Sequence, residues 1–82
     1  MLMEEMILVC AVRYALGRMS YVVGEVCQYV TLHRKKLSKE CINVIICDIE
    51  DELERYHAVG QLCGMECDEW EWKKLLKILK EV

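Results

Sequence analysis

Proline and phenylalanine are absent from this 82-residue chain, and glycine occurs only at positions 17, 24, 60 and 64. Few helix breakers leave few places for a helix to stop. Long apolar runs are also missing. The longest stretch without Asp, Glu, Lys or Arg runs from Tyr56 to Met65, well short of the ~18 residues a spanning helix requires. An export signal is not expected, because Glu4 and Glu5 stand where a positive region belongs and Arg13 interrupts the apolar run. Catalytic signatures are lacking too: there is no glycine-rich nucleotide loop, no nucleophile elbow and no His-Glu-x-x-His helix. A chain that is 55% hydrophobic and 30% charged is too apolar for intrinsic disorder. These features predict one small soluble domain over residues 1–82, without enzymatic activity, working inside a cell.

Apolar spacing is helical almost throughout. A first helix is expected from Glu4 to Leu16, apolar around nearly its whole circumference, which marks a central helix or one that meets a partner. Cys10 on it reads as a buried small hydrophobe, and Gly17 as a left-handed C-terminal residue. Ser20 is placed to cap a second helix, Tyr21 to about Lys35, burying Val22, Val23, Val26, Tyr29, Val30 and His33. His33 reads as a partly buried histidine with a backbone partner. Ser38 caps a third helix, about Lys39 to His57, with the stripe Ile42, Ile45, Ile46, Ile49, Leu53 and Tyr56. Residues Gly60 to Cys67 read as a loop. A fourth helix follows, opened by Asp68 with Glu71 and burying Trp72, Leu75, Leu76 and Leu79. Short connections favour antiparallel neighbours, so the expected fold is all-α, a compact antiparallel bundle of about four helices. A chain this short buries only about 60–65% of its unfolded surface, so a metal, a disulfide or a second subunit would add materially to its stability.

Charge is unevenly spread. Between Asp48 and Glu71 there are nine acidic residues against the single base Arg55, while His33, Arg34, Lys35, Lys36 and Lys39 cluster between the second and third helices. One reading is two solvated faces. The sharper reading is that the acids imitate nucleic-acid phosphates and dock on a basic groove. The partner-binding candidates are then Asp48, Asp51, Glu52, Glu54, Glu66, Glu69 and Glu71, with Trp70, which projects from the side of its helix opposite Trp72, read either as an apolar anchor or as packing under the Gly60–Cys67 loop. Direct nucleic-acid binding is not expected, because the basic cluster is short and has no interleaved aromatics.

Six cysteines fall at 10, 27, 41, 47, 63 and 67. Cys27 and Cys41 sit at the rims of their apolar stripes, and Cys47 points away from the isoleucines. His57, Cys63 and Cys67 are different: three soft ligands around one loop, matching the spacing of zinc ligands but lacking a local fourth. Zinc stapling by these three is one reading; two thiols with His57 ending its helix is the other.

The segment Val12-Arg13-Tyr14-Ala15-Leu16-Gly17-Arg18-Met19-Ser20-Tyr21-Val22-Val23, followed by Asp48-Ile49-Glu50 and Cys67-Asp68-Glu69-Trp70, resembles small helical proteins encoded by phages and prophages. In those, an Arg-Tyr-Ala-Leu-Gly-Arg-x-Ser/Thr-Tyr stretch links two helices. The resemblance carries no catalytic residues, and Cys63 and Cys67 are additional to its pattern. It implies a host-takeover factor working in the host cytoplasm. The most concrete version is an anti-CRISPR protein that inhibits an RNA-guided nuclease, the host CRISPR effector, stoichiometrically and interferes with nucleic-acid loading. The alternative is a small structural or regulatory phage module whose first helix forms a homodimer.

Overall fold

Leu2 precedes the first helix in an extended conformation, and its backbone N–H donates to Glu5 Oε1 at 3.2 Å, satisfying one of the amides a helix start leaves orphaned. From there α1 runs Met3–Leu16, α2 runs Ser20–His33, a single 3₁₀ turn covers Arg34–Lys36, α3 runs Lys39–Val59 and α4 runs Met65–Lys80. The computed structural model describes the backbone of residues 1–17, 20–59 and 65–81 and the side chains of 1–17, 22–55 and 69–81. Among the described residues there is no strand.

Each helix contributes one stripe to a single core. Leu8, Val12, Ala15 and Leu16 come from α1, Val23, Cys27 and Val30 from α2, Cys41, Ile45, Ile49 and Leu53 from α3, and Trp72, Leu75 and Leu79 from α4. The four-helix, all-α expectation holds. In α3 the buried positions recur every fourth residue, so the 3.6-residue period prevails over the β-branched character of its isoleucines.

Contacts fix the neighbours. Both α1 and α4 pack on α2 and on α3, placing α1 and α4 at opposite corners. Consecutive α1 and α2 run antiparallel: residues 4–11 of α1 share a recess with 25–29 of α2, whereas the start of α1 meets 29–37. The α1–α3 pair runs in the same direction, because Glu5 meets Ser38 and, two turns on, Arg13 meets Asp48. Antiparallel connections already give α1 and α3 one direction and a common end; what they do not fix is that these two helices pack side by side.

Several local expectations are corrected. Gly17 has φ −113°, outside the left-handed region, and ends α1 through a 3.2 Å bond from its N–H to the Tyr14 carbonyl. Cys10 is exposed rather than buried, because its side of α1 turns away from both neighbouring helices. Tyr29 is likewise exposed. It lies beside His33 with ring centroids 4.1 Å apart, while His33 Nδ1 is buried without a hydrogen-bond partner among the described residues, so the expected backbone partner is not found. Helix α4 begins at Met65, so residues 65–67 are helical and Asp68 lies inside the helix instead of opening it.

The expected cap at Ser38 is present: its hydroxyl accepts from the Cys41 N–H at 3.1 Å, and its carbonyl accepts the first α3 bond from Ile42. At the far end of α4, the Arg34 guanidinium donates to the Ile78 carbonyl, satisfying one of the acceptors a helix C-terminus leaves unpaired.

Candidate functional site

The outward side of α3 is rich in acids, with the exposed bases Lys39 and Arg55 towards its two ends and Glu40 paired with the N-terminal ammonium at 3.1 Å. Its buried positions, Cys41, Ile45, Ile49 and Leu53, lie on one face, and the opposite face presents Glu40, Asn43, Cys47, Glu50, Asp51 and Glu54, all exposed. Helical spacing is what gathers these carboxylates, since 47, 50, 51 and 54 follow the i, i+3, i+4 rule. Among the described bases, Lys80 reaches Glu50 from α4. Asp51 and Glu54 stand one turn apart on the exposed surface.

The remaining acidic candidates are arranged differently. Asp48 is half-buried at the α1–α3 contact and takes two bonds from Arg13, 2.7 Å from Nε and 3.4 Å from Nη2. The hydrogen bond and then the negative charge of Asp48 hold Arg13 above its ordinary pKa. Glu52 lies 3.4 Å from Arg55, and Glu69 lies 2.6 Å from Lys73 one turn along α4. Glu71 is half-buried beside Lys74 in an open recess of about 500 Å³ between α2 and α4. The side chain of Glu66 lies outside the described residues. Of the acids proposed from sequence, Asp51 and Glu54 form one exposed pair, Asp51 bordering a recess that Arg13 and Arg55 also line, while Asp48, Glu52 and Glu69 are ion-paired within the chain.

The two tryptophans divide as their spacing requires. Trp72 is completely buried in the core, and Trp70, two positions earlier on α4, is 61% exposed. A large ring exposed beside the half-buried Glu69 and Glu71 has the composition of an interface anchor.

His57, Cys63 and Cys67, the candidate zinc ligands, have side chains outside the described residues. Among the described residues no group of three or more His, Cys, Asp or Glu side chains is placed to hold a metal ion. Cys41 is fully buried, and burial first, then the charges of Glu5 and Glu40, push its thiol pKa up. A thiol held protonated in this way is a poor nucleophile and a poor metal ligand.

Two features escaped the sequence reading. The first is Glu5, 4% exposed and the one buried charged residue among those described. Its carboxylate accepts from the Leu2 N–H, from the Ser38 N–H at 2.7 Å and from the Ser38 hydroxyl at 3.1 Å. The Ser38 backbone bond is the largest influence on its pKa, which lies below the ordinary carboxyl value despite desolvation pulling the other way. An acid interrupting an apolar stripe three positions after Leu2 is the signal that was available. The second is the outer side of α1, where Met3, Met6, Ile7, Cys10 and Tyr14 are all exposed.

Comparison with protein-family models, with curated proteins and with solved structures finds no match to this chain.

Proposed function

We propose that this chain is a non-enzymatic binding protein of the phage host-takeover kind, an anti-CRISPR protein that occupies a basic, nucleic-acid-reading surface of an RNA-guided nuclease. The observation that carries the reading is the acid-rich outer face of α3, with Asp51 and Glu54 exposed one turn apart on one helix. Nucleases of this kind hold their nucleic acids in positively charged channels, and a fixed row of carboxylates matches that chemistry. Complementary charge of this sort accelerates encounter and fixes register.

Trp70 supplies the apolar contact that charge alone does not. Exposed on α4, it fits a pocket at the centre or margin of such an interface. Glu69 and Glu71 flank it, and their half-burial leaves the ring the more prominent feature of that turn. The resemblance to phage-encoded helical proteins names the partner class; the charge pattern supports the binding mode.

The test is co-elution with a guide-loaded nuclease together with suppression of target cleavage. One chain per nuclease should suffice, and Asp51→Lys with Glu54→Lys should weaken the complex about tenfold or more and reduce its salt dependence. A wild-type chain that neither co-elutes nor slows cleavage removes the reading.

A further inference from the structure

α1 is apolar on both sides, and only one of them enters the described core. Leu8, Val9, Val12, Ala15 and Leu16 face the core, while Met3, Met6, Ile7, Cys10 and Tyr14 face away from it. Tyr29 of α2 extends the outer patch across the α1–α2 groove, where a recess of about 320 Å³ is lined by Ile7, Leu8, Ala11, Val26 and Tyr29 with Glu4 and Glu25 at its rim.

We infer that this outer face of α1 is the docking site of a second copy of the chain, giving a homodimer with α1 packed against α1 of its partner. Three observations favour that occupant. Met3, Ile7, Cys10 and Tyr14 are separated by four, three and four residues, the seam spacing that lets two helices interlock side chains along their length. The area suits a pair of chains. Met3, Met6, Ile7, Tyr14 and Tyr29 are each 52–69% exposed, which for side chains of this size offers about 600 Å² before Cys10 and Ala11 are included, approaching the ~800 Å² per partner of a stable interface. A patch of that extent is at the upper limit of what monomers leave uncovered.

Charge selects among occupants. The face itself is uncharged, with Glu4 on one border and Arg13, already turned onto Asp48, on the other. Helices that lie on anionic membranes carry lysine and arginine along their polar flank, whereas here Glu4 and Glu25 rim the groove of a chain with net charge −3. A second copy brings the same neutral stripe and turns its own acidic α3 face elsewhere, so like-charged chains meet where neither carries net charge. The contact is self-complementary, as a two-fold interface requires.

Sedimentation equilibrium on the wild-type chain across a concentration series, with thiols kept reduced, tests the inference. The expected mass is twice that of the 9.7 kDa chain, and Ile7→Glu should raise the dissociation constant at least tenfold while leaving the helical circular dichroism unchanged. Met3→Lys, in the first turn of the same seam and 69% exposed, provides the same readout should Ile7→Glu fail to fold. A wild-type chain that sediments as a monomer at hundreds of micromolar overturns the inference. So does a dimer that keeps its affinity in a folded seam variant, or a monomer that instead binds phosphatidylserine vesicles. None of these masses depends on whether a nuclease is bound, so this inference and the proposed inhibition fail separately.

Discussion

Glu5 and Ser38, thirty-three positions apart, join the starts of two helices through two hydrogen bonds: the Ser38 N–H and hydroxyl both donate to the Glu5 carboxylate, and the Ser38 hydroxyl in turn accepts from the Cys41 N–H. One buried carboxylate thereby closes the start of α1 on itself and fastens it to the start of α3. The contact lies at the end of the bundle where α1 and α3 both begin.

The pH dependence of stability follows from the same contact. The folded pKa of Glu5 lies below the ordinary value of 4.5, so its ionised form is favoured by folding. Its contribution is complete above the unfolded pKa and is lost as pH falls from there through the lowered folded value. Urea unfolding of the wild-type chain should therefore show declining stability from about pH 5 downwards. Glu5→Gln should be less stable at pH 7 and should show a shallower acid decline; an unchanged slope would contradict this.

Ser38→Ala removes an N-cap and a donor to Glu5 together. The expected loss is about 1–2 kcal/mol, the upper half of the range for N-cap deletions. Because the two residues share bonds, the double variant with Glu5→Gln should lose less than the sum of the single losses, as double-mutant-cycle analysis of unfolding would reveal.

Trp70 and Trp72 should separate cleanly. Trp72→Ala opens the core and should cost about 3–5 kcal/mol, enough to unfold much of so small a domain. Trp70→Ala, at an exposed position, should change stability by no more than about 0.5 kcal/mol while weakening capture of the nuclease. Thermal unfolding and co-elution of the two variants distinguish a core role from a docking role.

Gly24 lies inside α2, and a Cβ built there meets nothing within 4 Å. Gly24→Ala should therefore stabilise the chain by up to about 1 kcal/mol, raising Tm by about 4–8 °C for a domain of this size. A lower Tm would contradict the open space found around that position.

Most of the helices were legible in sequence because α3 and α4 bury clean stripes at 3–4 spacing, and Trp70 against Trp72 was decided by that spacing alone. α1 was not legible in the same way. A helix apolar all round carries no periodic signal to say which side is inside, so Cys10 was assigned to the core and proved exposed. Gly17 invited a left-handed ending that the Tyr14 carbonyl makes unnecessary. The start of α4 was displaced by three residues because Gly64 and the acids at 66, 68 and 69 imitate a loop and its cap. Among the acidic candidates, sequence gave the count but not the pairing: Arg13 reaches Asp48 from thirty-five residues away, a relation no local pattern encodes. Glu5 was missed for the same reason, since its partner lies on another helix.

The most direct measurement is a titration of the purified chain into guide-loaded RNA-guided nuclease, reading residual target cleavage against the molar ratio. The account predicts that cleavage falls to its floor near one chain per nuclease, and that Asp51→Lys with Glu54→Lys shifts the curve to about tenfold higher concentration or beyond. Cleavage that persists at large excess of wild-type chain, or inhibition untouched by reversing both charges in a folded variant, would contradict it.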